Sequence, residues 1–396
     1  MSTRRWHLSA LAAVAALVVA GCGGGSAEAP VASRVIAFGD SLSDVGAYTP
    51  AAQIPLGQAA GVPPFFGGKF TTNTHTGYTA TSNSSTANVW VEWIAARVGA
   101  PITPHEVGFG PTPNRVKCPV ATSNPALAGS CTGYAQGGSR VTSPAGIGNP
   151  NGNGINGVNP APMTIPMVQQ VADHHTRFNG FTGDDLVFVF GGNNDIFVQF
   201  GLVGAAAITP TQAVTAVQTA ATELAALVRT QILDRGASRV AVMTLPDASV
   251  APGFTGLDAT SRGLLSSLSA AFNTTLLAAL DGSGARIIDV RALNAAVMAS
   301  PATYGLTNVT QSACDPARVS AITGGRITDG SSLFCNGAAA SAFVAPVPNL
   351  NTLRTGASAS TWLFADSVHP TTGGHRILAD QVMNAIKGFG WVPDNL

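Results

Sequence analysis

Short apolar runs of strand length recur along the chain: "RVIAF" at 34–38, "DLVFVF" at 185–190, "RVAVMTL" at 239–245 and "RIIDV" at 286–290. Their apolar residues are consecutive more often than alternate, which predicts strands buried on both faces. Between these runs the apolar spacing changes to three and four. In the clearest case Thr209 is placed as N-cap, Pro210 takes the first helical position and the helix ends before Gly236. Val214, Val217, Ala221, Leu224, Val228 and Ile232 then form a single apolar stripe. Strand and helix alternate, so the expected fold is α/β, a three-layer α/β/α sandwich with a mainly parallel central sheet. In that architecture ligands gather outside the C-terminal ends of the strands.

Other stretches carry no such period. Residues 143–162, and much of 48–86 and 300–360, are too rich in Gly, Asn, Pro, Ser and Thr for regular elements. None has its own alternation of strand and helix, so they are expected to be insertions into a single domain over 34–396. No internal repeat stands out.

Residues 1–22 have the pattern of a targeting segment. Arg4 and Arg5 precede the apolar run "LSALAAVAALVVA", and "VAGC" ends it at Cys22. The small residues before Cys22 resemble a bacterial lipobox, which implies lipidation of that cysteine and membrane attachment through it. Residues 23–33 would then be a flexible tether. Gly23 after the cysteine favours the outer membrane in lipoprotein sorting, whereas a plain secretory signal would give a secreted protein. No other stretch approaches the ~20 apolar residues that span a bilayer, so the expectation is an anchored chain.

Composition narrows the partners. The chain is 45% hydrophobic, enough for a substantial core, while 10% of its residues are charged and the formal net charge is zero. That balance offers no basic footprint for nucleic acid. Beyond Cys22 the cysteines are Cys118, Cys131, Cys314 and Cys335. An even number in an exported chain points to disulfides, and four cysteines allow three connectivities. The sequence-local pairs Cys118–Cys131 and Cys314–Cys335 are favoured, because each would staple a loop-like segment. A zinc site lacks C-x-x-C or paired-histidine spacing.

The candidate chemistry begins at "VIAFGDSLSDVG", 35–46, where an apolar run ends in a turn bearing Ser41. A serine nucleophile needs a base. His174 and His175 are neighbours on a helical stretch and are expected on its exposed face; His75 and His105 lie in loop-like sequence; His375 opens the final helix. His369 differs: in "FADSVHP" it follows Asp366 by three residues. A carboxylate so placed can hold one ring nitrogen and leave the other free as a base. Alone, the Asp366 side chain could equally be a turn cap. "YAQGGSR" at 134–140 and "FGGNNDIF" at 190–197 add glycine N–H groups and an asparagine amide, donors suited to a developing oxyanion. No serine fits G-x-S-x-G, so the α/β-hydrolase elbow is absent.

Taken in order, "GDSLSD", "YAQGGSR", "GNND" and "DSVH" resemble the blocks of the SGNH hydrolase superfamily, the GDSL esterase and lipase family, across about 34–390. "GKFTTN" and "NVWVEWIAARVG" further resemble the opening of its larger bacterial members. The resemblance implies a flavodoxin-like fold and a serine esterase or lipase without metal or cofactor, acting on small-molecule or lipid esters. It implies Ser41 as nucleophile, His369 as base and Asp366 as its partner. Ser41 N–H, a glycine N–H and the Asn194 amide would form the oxyanion hole; the spacing favours Gly138, with Gly137 the alternative. Gly133 departs from the asparagine often found there. Phe65, Phe66 and Trp362 could face an acyl chain or pack in the core. An acyltransferase using the same site, and a binding lipoprotein without catalysis, are the alternative functions.

Overall fold

The computed structural model describes residues 31–48, 68–74, 88–108, 115–149, 155–156, 159–160, 163–322, 324–325, 327–337 and 351–396. The targeting segment with Cys22, most of the 48–86 insertion, His75, Phe65 and Phe66 lie outside them.

Along the chain come β1 (Arg34–Gly39), α1 (Trp90–Val98), α2 (Met167–Phe178), β2 (Asp185–Phe190), α3 (Asn193–Gly204), α4 (Pro210–Leu227) and β3 (Arg239–Met243). These are followed by α5 (Ala259–Leu280), β4 (Arg286–Ile288), β5 (Asn308–Ser312), α6 (Pro316–Ile322), β6 (Trp362–Phe364) and α7 (Thr372–Gly388). Strands β1 to β4 form one parallel sheet in sequential order. Every residue of β2 is buried, as the unbroken apolar run requires.

Pleating sends alternate residues to opposite layers. Phe188 and Phe190 meet Trp90 of α1, ring edge to ring face. Phe38, paired with Val189 and so pointing the other way, meets Tyr134 and His174. Helices thus flank a parallel sheet, the expected α/β architecture. The Thr209 cap is present, its side chain accepting from Gln212 N–H and the Gln212 side chain answering the Thr209 N–H.

Several expectations need correction. His174 is fully buried, stacked on Phe181 at 4.3 Å, and its burial holds the imidazole down to about 3. Its Nδ1 meets the Tyr134 hydroxyl and its Nε2 meets Gly180 O, which is how a polar residue is accommodated inside. Helix α5 is long and apolar enough by composition to cross a bilayer, contrary to the reading that nothing beyond the leader approaches that length. Leu265, Leu268, Phe272, Leu276 and Leu280 are buried in the main core, which accounts for its apolar character. The 300–360 region contains β5, paired in parallel with β6, and α6. Within 143–162, Ile155–Asn156 and Asn159–Pro160 form a small antiparallel pair.

Cys118 pairs with Cys131 and Cys314 with Cys335, the sequence-local connectivity. Such bonds point to an extracytoplasmic compartment.

Candidate active site

The C-terminal end of β1 delivers Ser41. Beyond Gly39 the chain turns into a short 3₁₀ segment, Ser41–Ser43, capped by Asp40, whose Oδ1 accepts from Leu42 N–H at 3.1 Å. Asp40 Oδ2 accepts from the Asn193 amide at 3.2 Å, tying this turn to the start of α3. Asp44 lies just beyond and gathers the N–H groups of Gly46, Ala47 and Gly137 at 2.8, 2.6 and 2.9 Å. Ser43 is engaged elsewhere, accepting from the Trp90 indole N–H at 3.2 Å.

The segment before Gly137 runs beside β1 without becoming a regular strand. Ala37 N–H donates to Thr132 O, and the N–H groups of Tyr134 and Ala135 donate back to Ala37 O. Gly133 forms a parallel bridge with Ala37, and a Cβ there would come within 2.3 Å of Val45. Space therefore explains glycine at the position where the family pattern often has asparagine. Gly138 adopts a φ of +81°, and a Cβ on it would lie 2.5 Å from Ile147 O.

The third block follows β2. Asn194, second in α3, donates to Ser139 O at 2.8 Å, leaving its second amide hydrogen without a described partner. Asp195 beside it accepts from Arg140 and from Val141 N–H, locking the second and third blocks together.

Strand β6 delivers Asp366 and His369. Asp366 Oδ1 accepts from Val368 N–H and His369 N–H at 2.9 and 2.8 Å, so this carboxylate does cap its own turn. It also contacts the ring: His369 Nδ1 lies 2.9 and 2.8 Å from its two oxygens. His369 Nε2 is 2.8 Å from Ser41 Oγ, across 328 positions of sequence. With Nδ1–H donating to Asp366, Nε2 is the acceptor facing the Ser41 hydroxyl.

Electrostatics follow this geometry. Burial alone would raise the Asp366 carboxyl, but the His369 charge, the ring hydrogen bond and backbone donors hold it well below the usual carboxylate range. Burial alone would lower His369; the Asp366 charge, its hydrogen bond to the ring and the charges of Asp40 and Asp329 together outweigh it, leaving the imidazole above its ordinary value. A hydroxyl proton can thus pass to an imidazole whose charged form is already favoured.

A model of the GDSL-like lipase/acylhydrolase family matches residues 35–382. The chain belongs to that family. No curated protein matches it. For a GDSL-like acylhydrolase the implied reaction is ester hydrolysis, and the four blocks of the GDSL pattern lie on the C-terminal side of this sheet.

Among the other histidines, His105 is buried against Tyr134, and burial takes it down to about 4. His375 is buried where Trp90 N–H donates to its Nδ1 and its Nε2 faces Phe70 O. Trp362 is half-buried and packs against the small core that includes Cys314 and Cys335, in line with the packing alternative. Sequence reasoning missed Ser332, whose N–H donates to Asp366 Oδ2 at 2.7 Å. A backbone donor leaves no signal in residue type. It also missed Gln170, which donates to Gly39 O and accepts from Gly39 N–H, fixing the residue before the Asp40 turn.

Proposed function

We propose that this chain is a serine esterase of the cell envelope, anchored through a lipidated Cys22 and acting on carboxylic esters with an apolar acyl group. The observation that carries this reading is the row Ser41 Oγ, His369 Nε2, His369 Nδ1, Asp366 in continuous hydrogen-bond contact. Ser41 Oγ attacks the ester carbonyl as its proton moves to His369 Nε2. Asp366 holds the ring and balances the imidazolium. The developing oxyanion takes hydrogen bonds from Ser41 N–H, Gly138 N–H and the Asn194 amide. Collapse returns the Nε2 proton to the departing alcohol, and water then cleaves the acyl-enzyme by the same route.

The choice of Gly138 over Gly137 is supported by partners. Gly137 N–H is engaged by Asp44, whereas the N–H groups of Ser41 and Gly138 donate to no described residue. An apolar acyl group is supported by half-buried rings adjoining the third and fourth blocks. Phe197, three residues beyond Asn194, stacks on Phe254 at 5.5 Å, and Phe200 meets Phe254 edge-on. Phe254 follows Gly253, whose N–H donates to Ser367 O inside the Asp366–His369 turn.

A fluorophosphonate probe tests the reading. It is expected to modify Ser41 in the wild-type protein and nothing in Ser41→Ala, whose kcat falls about 10⁶-fold. Ester hydrolysis retained by folded Ser41→Ala would sink it.

A further inference from the structure

We infer that the segment from Gly68 to Asn73 positions the Asp366–His369 pair from outside it, with Phe70 acting on the imidazole and Asn73 on the carboxylate. This rests on the reading above, in which His369 is the base.

The Phe70 ring lies 4.8 Å from the His369 ring, centroid to centroid. Its far side is closed. Tyr48 meets it edge-on at 5.9 Å and donates its hydroxyl hydrogen to Gly137 O at 2.7 Å. A Cβ on Gly137 would come within 2.1 Å of Phe70 Cε2 and Cζ. Gly137 therefore provides the seat for Phe70, and the imidazole rests on a ring that has no room to retreat. An imidazole that must accept and return a proton at one nitrogen gains from such a wall, because rotation about its side-chain bonds would carry Nε2 away from Ser41.

Three residues on, Asn73 is fully buried. Its amide donates to Lys69 O, Thr71 O and Ser332 O at 2.9, 3.2 and 3.1 Å. Its backbone N–H donates to Cys335 O, and its carbonyl accepts from Gly337 N–H. The clasped loop is the one that presents Ser332 N–H to Asp366. Cys335 is bonded to Cys314, whose own N–H donates to Ala365 O, next to Asp366. One strap thus braces both members of the pair, and the Lys69–Glu92 ion pair fixes its other end to α1.

The test uses the full chain and counts competent sites by fluorophosphonate titration, so misfolded material lowers the count and leaves kcat per site unaffected. Phe70→Ala and Gly137→Ala, the latter displacing the ring without altering it, are expected to lower kcat per site about 10- to 100-fold with KM little changed. Phe70→Leu should recover part of the loss. Asn73→Ala should lower kcat in the same way, and in all of them the low-field proton resonance of His369 Nδ1–H should shift or broaden. Wild-type kcat per site with an unchanged resonance in Phe70→Ala and Asn73→Ala would overturn the inference. If the wild-type protein is not labelled at Ser41, the esterase reading falls first and the inference falls with it.

Discussion

Asp44 and Asp366 are matched in almost every respect except one. Both are buried, at 0% and 3% exposure, and each accepts from three backbone N–H groups. For both, burial is the largest influence and acts to raise the pKa. Yet Asp44 is pushed up to about 7 while Asp366 is held far below the ordinary value. The difference is a counter-charge. Asp366 has the His369 ring against both oxygens, whereas Lys69, the cation that acts on Asp44, is bonded to Glu92. At Asp44 three backbone donors hold the turn without offsetting burial, and at Asp366 the charge partner makes up the difference. By this criterion Asp44 belongs to the architecture of the turn, and Asp366 suits the proton path of the proposed esterase.

Exchanging each for its amide puts that division to the largest test. Asp366→Asn is expected to lower kcat about 10⁴-fold, because an amide favours the wrong imidazole tautomer. Asp44→Asn should leave kcat within about tenfold and instead cost about 1–3 kcal/mol in urea unfolding, since an NH₂ group would face a buried N–H donor. Equal losses of kcat in the two variants would break the distinction. The same contrast recurs at a smaller scale in neighbouring asparagines. Asn194→Ala should lose about 10²- to 10³-fold in kcat as an oxyanion donor. Asn193→Ala removes only the tie to Asp40 and should lose about tenfold or less in the same assay.

How much of this was legible depended on whether side chains or backbone carried the information. The runs at 185–190 and 239–245 declared buried strands because both faces are covered, and Thr209 with Gln212 declared a helix start through cap chemistry. Ser41, Asp366 and His369 could be named because the chemistry needs those residue types, and the fold brings them within hydrogen-bond distance. Strand β5 was hidden because only Val309 of its five residues is buried, leaving no period to detect. His174 was misplaced on the surface because polar residues on a helix usually face water, and the Tyr134 and Gly180 partners are distant in sequence or backbone in nature. The proposed preference for Gly138 over Gly137 likewise rests on an N–H already taken by Asp44. "GKFTTN" was visible as a block, but nothing in its residues announces that Asn73 reaches Ser332.

The smallest effect is a separation of two pH dependences. His369 must be neutral to accept the Ser41 proton, and its pKa is raised above 6.5, so kcat/KM should fall as pH drops through a limb lying above that value. The Asp44 contribution to folding stability responds in the opposite sense over a lower range, against the buried His105, His174 and His375, which add stability as pH rises there. Asp44 rises from 3.8 to about 7 on folding, so the folded chain binds the extra proton between those values, and its contribution to stability is lost as pH rises through them. Asp40, raised to about 6, acts in the same direction. Asp366 acts oppositely, giving stability above 3.8 that is lost as pH falls through its lowered folded value, so it adds little slope between 3.8 and 7. Asp44→Asn should therefore remove that contribution, up to one proton, from the dependence of unfolding free energy on pH across that window, while leaving the acid limb of kcat/KM in place. A limb that moves with Asp44→Asn would mean that Asp44 is coupled to the imidazole, and the two carboxylates would no longer divide into turn and proton path.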